Sequence, residues 1–215
     1  MTTQLPLRLD LANDWEVPNN WNRLAGVDEV GRGALFGPVV AAAVILPKSA
    51  QDSLVKAGVT DSKRLKAAER LLLAQQIRAV AVDCQVGIAS VREIDRFNIL
   101  QATLLAMSRA INRLQPLPDF CLIDGNQPIP NLLIPQQTLV KGDQKSLAIA
   151  AASIVAKVWR DELIVRLATK YPGYDLATNK GYGTVKHRLA LQQLGASSQH
   201  RLSFSPCRLN GKPIA

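Results

Sequence analysis

The sequence predicts an α/β fold in which a central mixed β-sheet is flanked by helices. Three observations lead to this prediction. Segments with strand-like and helix-like patterns alternate along the chain, which is typical of α/β domains. The first two strand-like segments, 24–31 and 39–46, are joined by a tight turn that contains Gly33 and Gly37. The second of them is continuously apolar, as expected of a strand that is covered on both faces.

The later elements are predicted from periodicity and from helix-capping signals. Ser90 and Glu93 form a capping-box pattern, with a serine at the cap and a glutamate three residues later. Asn98 falls inside the helix that follows and is expected to interrupt it. The predicted elements are a helix over 66–80, a strand over 82–89, a helix over 90–114, strands over 120–123 and 137–141, and helices over 144–169 and 185–194. The small residues early in the 144–169 helix predict that it lies close against the sheet.

A chain of 215 residues has the size of a single domain. Hydrophobic residues make up 47% and charged residues 20% of it, which excludes a disordered chain. We predict an irregular leader over 1–22, one domain over 23–206 that includes a helical C-terminal part, and a tail over 207–215. The longest apolar run, 39–46, is too short to cross a membrane, and no signal-peptide pattern is present, so we expect no membrane partner.

The three cysteines of the chain are Cys84, Cys121 and Cys207. Their number is odd and no two of them are closely spaced, so the sequence contains neither a disulfide framework nor a zinc cluster. A reducing, cytoplasmic location is therefore expected.

Charge is distributed unevenly along the chain. The protein has 26 Lys and Arg against 17 Asp and Glu, a net charge of +9. Residues 141–215 contain 12 of the basic and 4 of the acidic residues, so almost all of the excess lies in the second half. This distribution indicates a polyanionic partner such as nucleic acid, although a merely soluble basic surface would have the same composition.

Four acidic residues lie at or beside the ends of predicted strands. They are Asp28 and Glu29 in the first strand, Asp124 after a later one, and Asp143 after the last. Carboxylates inside an apolar strand are costly to bury without a partner. Since functional groups of α/β proteins gather at strand ends, the four acids predict a site for hard divalent cations. Asp124 could instead be a turn residue, and Asp143 could be a helix cap.

Asp28 and Glu29 present a geometric difficulty, because neighbours on a regular strand point to opposite faces of the sheet. Either a bulge turns Glu29 inward, or one of the two residues contributes in another way, for instance through its backbone carbonyl group. The sequence leaves both alternatives open.

Other catalytic chemistry has weak support in the sequence. A metal-free ribonuclease with a histidine acid–base pair would have to use His187 and His200, the only two histidines. No nucleophile elbow of the Gly-x-Ser-x-Gly type is present, and no phosphate loop ends in Gly-Lys-Ser or Gly-Lys-Thr. The glycines around 26–37 have the wrong spacing for a dinucleotide site.

A series of motifs resembles the ribonuclease HII family. The resemblance spans about residues 24–206, with the motifs in the order of the family. The motifs are AGVDEVGRG (25–33), GPVVAAA (37–43), DSK (61–63), LIDGN (122–126), KGD (141–143), AAASIVAKV (150–158), YPGY (171–174), KGYGT (180–184), HR (200–201) and SF (203–204). A match of this density is much more specific than any single short motif.

The resemblance implies roles for individual residues. The catalytic carboxylates and ligands of a divalent metal cofactor, Mn²⁺ or Mg²⁺, would be Asp28, Glu29, Asp124 and Asp143. The residues that would bind the substrate are Gly31, Arg32, Gly33, Lys63 and Tyr182. The sister family, ribonuclease HIII, usually has lysine at the position of Arg32 and a longer N-terminal platform, so the arginine and the short leader favour ribonuclease HII.

The resemblance also implies the fold and the reaction. The fold would be ribonuclease H-like, with a central mixed sheet between helices and a helical C-terminal part. The enzyme would cleave the RNA strand of RNA–DNA hybrids and would incise duplex DNA on the 5′ side of an embedded ribonucleotide. Two metal ions, bridged by Asp28, would assist hydrolysis to 3′-hydroxyl and 5′-phosphate ends. Such an enzyme would serve DNA replication and repair, and we expect it to act as a monomer.

The loop residue Tyr182 lies between two glycines, so its ring is expected to be exposed and able to stack on a sugar or a base. A loop anchor is the simpler alternative for this tyrosine. Basic residues of the second half are expected to contact the backbone of the duplex. These residues are Lys141, Lys145, Lys157, Arg160, Lys180, Lys186 and Arg188.

Two other functions are compatible with parts of the pattern. A different nuclease of the same fold, such as a junction resolvase, would share the carboxylates but would not need to recognise a 2′-hydroxyl group. A protein that binds hybrids without cutting them would have acids with a structural role only. The acids disfavour this second alternative, because carboxylates next to phosphate are unfavourable unless a metal ion lies between them.

Overall fold

The structure is a computed structural model that describes residues 21–208, so most of the predicted leader and most of the predicted tail lie outside the described residues. The strands are Leu24–Val30 (β1), Val39–Ile45 (β2), Asp83–Ala89 (β3), Phe120–Asp124 (β4) and Gln136–Leu139 (β5). The helices are Gln51–Ala57 (α1), Ala67–Val80 (α2), Val91–Ile111 (α3), Gly142–Lys145 (α4), Leu147–Ala168 (α5), Leu176–Asn179 (α6) and Val185–Leu194 (α7). Short 3₁₀ turns cover Lys48–Ala50, Ser62–Arg64 and Ser205–Cys207.

The five strands form one mixed sheet in the order β3-β2-β1-β4-β5. Strand β2 runs antiparallel to β1 and β3, whereas β4 runs parallel to both β1 and β5. The predicted α/β class and mixed sheet are therefore confirmed. Because β1, β4 and β5 point the same way, their last residues lie together, at what we call the carboxyl end of the sheet.

Helices cover both faces of the sheet. On one face, α3 packs against Val27 and Ala41 through side chains such as Met107. On the other face, α5 and α2 cover Ala42 and Val44. Strand β2 is buried along its whole length, which confirms the prediction from its continuously apolar sequence.

Helix α5 lies unusually close to β1, and glycine makes this approach possible. A Cβ atom added at Gly26 would lie 2.1 Å from the carbonyl carbon of Ala148 in α5. On the opposite face, a Cβ atom at Gly87 of β3 would lie 2.0 Å from the carbonyl oxygen of Ala106 in α3. The close packing that the small residues of α5 predict is thus present, and the sheet supplies glycine at the contact.

Two helices differ in continuity from what periodicity indicates. The predicted helix over 144–169 is wrong at its start, because Ser146 adopts extended backbone angles between α4 and α5 and its side chain caps α5. The predicted interruption at Asn98 is confirmed: this residue has φ 71° and ψ 167°, and its side chain accepts hydrogen bonds from two following backbone N–H groups. Helix α1 was not predicted, since its seven residues show little periodicity.

The glycine at the contact between β1 and α5 leads to a stability prediction. We expect Gly26→Ala to lower the free energy of unfolding by about 3 kcal/mol, because the added methyl group meets helix backbone that cannot move aside. Urea unfolding measures this change.

Gly33→Ala is the matched control, because a Cβ atom at Gly33 would meet nothing within 4 Å. Its effect on stability should stay within about 0.5 kcal/mol. Equal losses in the two variants would contradict the proposed close contact.

Candidate active site

Three carboxylates meet at the carboxyl end of the sheet. Asp28, Glu29 and Asp124 each offer an oxygen atom, and these three atoms all lie within 4.8 Å of one another. Asp28 is 5% exposed, whereas Glu29 and Asp124 are half-buried. Carboxylate oxygens in this arrangement suit a hard divalent cation such as Mg²⁺ or Mn²⁺, so the residues present fit the metal that the sequence implies.

The parallel register of β1 and β4 places two of these acids side by side. Val27 is paired with Ile123, and the next residues on the two strands are Asp28 and Asp124. Side chains alternate between the two faces of the sheet along a strand, and a side chain at Gly26 would point towards α5. Asp28 lies two residues after Gly26, and Asp124 lies beside Asp28 on β4, so both acids point to the α5 face. The site therefore follows directly from strand pairing.

Glu29 joins the site without a bulge. Its strand pairs residue for residue with β2 from Ala25 to Val30, so the predicted alternative of a bulge is wrong. Glu29 points to the face opposite to Asp28, but pairing between β1 and β4 has ended at Val27. Its longer side chain can therefore reach the other two carboxylates around the end of the sheet.

Asp143 lies beside the group of three but outside it. The backbone N–H of Gly142 donates a 2.7 Å hydrogen bond to Asp124 Oδ1, which holds the start of α4 against β4. Asp143 is 5% exposed, and its nearest cation is Lys63, with Nζ 3.9 Å from Oδ2. Asp143 thus lies at the α4 side of the site, near Asp124.

Burial and the repulsion between neighbouring carboxylates raise the pKa values of the acids in this site when no metal is bound. Burial raises the pKa of Asp28 well above its usual range, and the charges of Glu29 and Asp124 raise it further. Burial likewise raises the pKa of Glu29, although Arg32 at 3.4 Å opposes the shift. Burial also raises the pKa of Asp143, followed by the charges of nearby acids. A divalent cation would relieve this repulsion.

Lys63 is an exposed cation at the edge of the acidic site. Burial of part of its stem would lower the pKa of Lys63, but the surrounding carboxylates, led by Asp143 and Asp61, raise it overall. Asp61 is buried and accepts a 2.9 Å hydrogen bond from the backbone N–H of Lys63. Sequence reasoning gave Asp61 no role, although its place two residues before the lysine is a signal of an Asx turn.

The Gly31–Arg32–Gly33 loop follows β1 directly and faces the same end of the sheet. Gly31 has φ +90°, and a Cβ atom there would lie 2.1 Å from Arg160 Nε. Glycine is therefore required at position 31, because a side chain there would collide with the buried Arg160 beneath the loop. Arg32 and Gly33 are exposed above it, where they are accessible to a ligand.

Two fully buried arginines support this loop from below. Arg160 donates to the carbonyl oxygens of Pro38, Phe36 and Lys180 at 2.9–3.1 Å. Arg201 donates to the carbonyl oxygens of Gly37 and Arg32 at 2.9 and 2.8 Å. The prediction that Arg160 contacts the duplex backbone is therefore wrong, because its guanidinium group is inside the protein.

Tyr182 lies next to this loop. The backbone N–H groups of Leu35 and Phe36 donate to the carbonyl oxygen of Gly181, and Tyr182 forms an isolated bridge with Ala34. The ring is half-buried rather than fully exposed, and Arg160 lies 5.6 Å from its centroid. The glycine loop and the tyrosine therefore form one connected surface.

The two histidines are adjacent but inaccessible. His187 and His200 are 0% and 1% exposed, and their Nε2 atoms are 3.0 Å apart. Neither belongs to the acidic group. A buried pair of this kind cannot exchange protons with a duplex, which removes the metal-free histidine mechanism considered from the sequence.

Within residues 21–208, no helix has the length and apolar character to cross a bilayer.

Comparisons with known proteins agree with this geometry. A sequence model of the family described as Ribonuclease HII matches residues 25–207. The chain is 69% identical over 184 residues to the Ribonuclease HII of Trichodesmium erythraeum, covering 86% of this chain and 87% of that protein. It is 59% identical over 211 residues to the Ribonuclease HII of a Nostoc species, covering 96% and 94%. Among solved structures, ribonuclease H2 from Pyrococcus horikoshii OT3 superposes with a TM-score of 0.73 at 26% identity, covering 86% of this chain and 95% of that chain.

The crowded carboxylates lead to a prediction on how the stability of the metal-free protein depends on pH. Without metal, the raised pKa of Asp28 means that the folded chain holds a proton that the unfolded chain releases, so stability falls as pH rises from about 4 through the raised pKa. We expect Asp28→Asn to remove this penalty and to stabilise the metal-free protein at neutral pH.

Mn²⁺ should stabilise the wild type, by ~2.7 kcal/mol at about 100 times its Kd, and should stabilise the Asp28→Asn variant far less. Calorimetry with and without the ion measures both effects. Asp52→Asn, on the exposed side of α1, is the control that should keep the full metal response. A full response in Asp28→Asn would remove Asp28 from the metal site.

Proposed function

The chain belongs to the ribonuclease HII family, and we propose that the acids at the carboxyl end of its sheet form the centre at which this enzyme cleaves RNA. Proteins of the family are endoribonucleases that act on RNA–DNA hybrids and require a divalent metal ion, and this chain is one of them. The observation that carries the proposal is the convergence of Asp28, Glu29 and Asp124 within 4.8 Å.

The four carboxylates have complementary roles in this proposal. Asp28 is the most deeply buried of the three converging acids and would be shared by two ions, whereas Asp143 would complete the site from the α4 side. When bound, two divalent ions supply an activated water and charge stabilisation of the leaving oxygen. The products are a 3′-hydroxyl and a 5′-phosphate. Both Mg²⁺ and Mn²⁺ accept an all-oxygen ligand set, so either ion can serve.

The glycine loop supplies backbone groups that can recognise a ribose. The carbonyl oxygen of Arg32 points at the buried guanidinium group of Arg201. Since the peptide is planar and trans, the N–H group of Gly33 points the opposite way, towards the exposed side. No side chain at Gly33 blocks approach, so this N–H can reach the 2′-hydroxyl group in a minor groove.

Tyr182 is the proposed neighbour of the ribose on the other side of the same surface. Its ring can stack on the adjoining sugar, and a deoxyribose would admit it more closely than a ribose. A junction where RNA passes into DNA would therefore be preferred to continuous RNA. This preference is the physical basis for action at a single embedded ribonucleotide, and the resemblance to the family implies that the incision is on its 5′ side.

The cations around the site differ in availability for phosphate. Arg32 and Lys63 are exposed beside the acids and are the proposed contacts near the scissile phosphate. Lys157 is paired with Asp161 at 2.8 Å, and Lys180 donates to the carbonyl oxygen of Ala177, so both are partly engaged within the protein. The exposed members of the predicted backbone contacts are Lys141, Lys145, Lys186 and Arg188.

The cellular setting remains part of the proposal. We propose a role in removing ribonucleotides from DNA during replication and repair, carried out by a monomer in the cytoplasm. The three cysteines are free in the structure, as a reducing compartment would leave them. The rival functions make different predictions: a junction resolvase would cut branched DNA without ribose, and a binding module would not cut.

A duplex that contains a single ribonucleotide tests the reaction and the site together. With divalent metal, we expect one incision on the 5′ side of the ribonucleotide, and we expect Asp124→Asn to abolish it because the variant loses one of the three converging oxygens. Product ends are identified on denaturing gels against 3′-hydroxyl and 5′-phosphate standards.

Asp119→Asn is the matched control, because Asp119 precedes the same strand at its other end and pairs with Arg23. This variant should cleave normally. Cleavage that persists in Asp124→Asn would contradict the proposed centre, and cleavage of an all-DNA junction would favour the resolvase.

The role of Tyr182 is tested by the ratio of cleavage rates on the single-ribonucleotide duplex and on a uniform hybrid. If stacking selects the junction, Tyr182→Ala should lower this ratio by about tenfold, the effect of ~1.4 kcal/mol, and Tyr182→Phe should largely keep it. Loss in both variants would assign the selection to the hydroxyl group. An unchanged ratio in Tyr182→Ala would refute the stacking model while leaving the metal site untouched.

A further inference from the structure

The buried pair His187–His200 has a hydrogen-bond direction that its surroundings determine. His200 Nδ1 lies 2.9 Å from the backbone nitrogen and 2.8 Å from the hydroxyl oxygen of Ser197, and because the backbone N–H can only donate, this nitrogen is an acceptor and carries no proton. In a neutral imidazole the proton is then on Nε2. His200 Nε2 lies 3.0 Å from His187 Nε2 and must be the donor to it. The carbonyl oxygen of Tyr182 at the other end of the pair can only accept from His187 Nδ1, which requires the same direction.

The same reasoning fixes the second ring. Because His187 Nε2 accepts from His200, its own proton is on Nδ1. That nitrogen lies 2.9 Å from the carbonyl oxygen of Tyr182 and donates to it. The chain of hydrogen bonds therefore runs in one direction, from Ser197 through both histidines to the backbone of Tyr182.

The pair is enclosed in a way that keeps it neutral. The ring of Tyr174 lies 4.6 Å from His200 and 6.0 Å from His187, and Phe36 packs edge-on against His200 at 5.0 Å. Burial, together with the neighbouring His187, lowers the pKa of His200 to about 4, and burial also lowers the pKa of His187. A proton added to either ring would destroy the chain, because two N–H groups would then face each other.

On the N-terminal side, Tyr182 is anchored because Gly181 accepts from Leu35 and Phe36 and the N–H of Tyr182 donates to Asn179. The peptide group after Tyr182 needs an anchor of its own. Tyr182 lies between Gly181, which has φ +84°, and Gly183, so its backbone has little conformational preference of its own. Its carbonyl oxygen accepts from the backbone N–H of Thr184 at 2.8 Å and from His187. Of these two donors, only the histidine connects the tyrosine to the C-terminal segment around Ser197.

We propose that His187 and His200 are positioning residues that orient Tyr182 for the recognition of RNA–DNA junctions. They act through a directional hydrogen-bond chain that fixes the peptide group after the tyrosine and thereby the place of its ring beside the glycine loop. The inference rests on the proposed role of Tyr182 in substrate selection. Neither histidine touches the substrate in this arrangement.

Two substitutions at one position separate the hydrogen bond from simple filling of space. In His187→Asn the side-chain amide nitrogen takes the place of Nδ1 and can still donate to Tyr182. In His187→Gln the amide takes the place of Nε2, so the contact with His200 is kept but the donor to Tyr182 is lost. A merely structural histidine would be replaced as well by Gln as by Asn, or better, since Gln is closer in volume.

The first readout is the ratio of kcat/KM on a single-ribonucleotide duplex and on a uniform hybrid. We expect His187→Gln to lower the ratio by about tenfold, which is ~1.4 kcal/mol, and His187→Asn to keep it within about threefold. The second readout is the NMR signal of the Tyr182 ring, identified among the three tyrosines by its loss in Tyr182→Phe. It should shift or broaden in His187→Gln and stay in place in His187→Asn.

Wild-type protein provides a test that does not depend on the folding of any variant. Long-range ¹H–¹⁵N spectra should show His187 protonated on Nδ1 and His200 protonated on Nε2. The opposite tautomers, or equal ratios and equal Tyr182 signals in the Asn and Gln variants, would overturn the inference. If Tyr182→Ala leaves the ratio unchanged, the proposed role of the tyrosine fails, and the ring signal and the tautomers still decide whether the histidines position it.

Discussion

The surface formed by the glycine loop and Tyr182 depends on two buried guanidinium groups that bind backbone carbonyl oxygens instead of carboxylates. Arg160 and Arg201 are 0% exposed, and burial lowers the pKa of both, that of Arg201 to about 9. Buried cations without an acidic partner are costly, so every donor that finds an acceptor matters. Their acceptors are the carbonyl oxygens of Arg32 in the glycine loop, of Phe36, Gly37 and Pro38 just after it, and of Lys180, so the cost of burying these charges is offset by the backbone that supports the proposed recognition surface. The conformation of the loop and the stability of the buried charges therefore depend on the same hydrogen bonds.

The acidic end of the sheet has the opposite charge. There the carboxylates repel one another until a cation arrives. In contrast, the three guanidinium nitrogens of Arg160 and two of the three in Arg201 already donate to carbonyl oxygens, and among the described residues only Arg201 Nη2 of this pair lacks an acceptor. Arg32 lies at the boundary, with its side chain near Glu29 and its carbonyl oxygen held by Arg201. Arg32 therefore connects the buried arginines, whose charge is largely compensated by backbone carbonyl oxygens, to the carboxylates, whose charge would be compensated by bound metal.

The sequence was sufficient for most of the fold and for the acids, because both follow from short-range patterns. Strand β2 is recognisable from its apolar run, and Asp28 is conspicuous because a strand interior disfavours an acid. What the sequence could not supply depends on long-range packing: Arg160 has the same composition signal as an exposed arginine, and only tertiary structure buries it. The extended backbone at Ser146 was hidden because the residues on both sides of it are helical, and the partnership of the two histidines joins segments that no local pattern relates.

The parallel pairing of β1 with β4 has a consequence for the order of events during synthesis. Leu24 and Phe120 are partners although 96 positions separate them, and loop closure over such a distance is among the slow steps of folding. Asp28 and Asp124 cannot become neighbours before this pairing forms, and Asp143 emerges from the ribosome later still. A nascent or partly folded chain consequently has scattered acids with weak affinity for metal. The metal site that these acids are proposed to form is therefore absent until the long-range topology is complete.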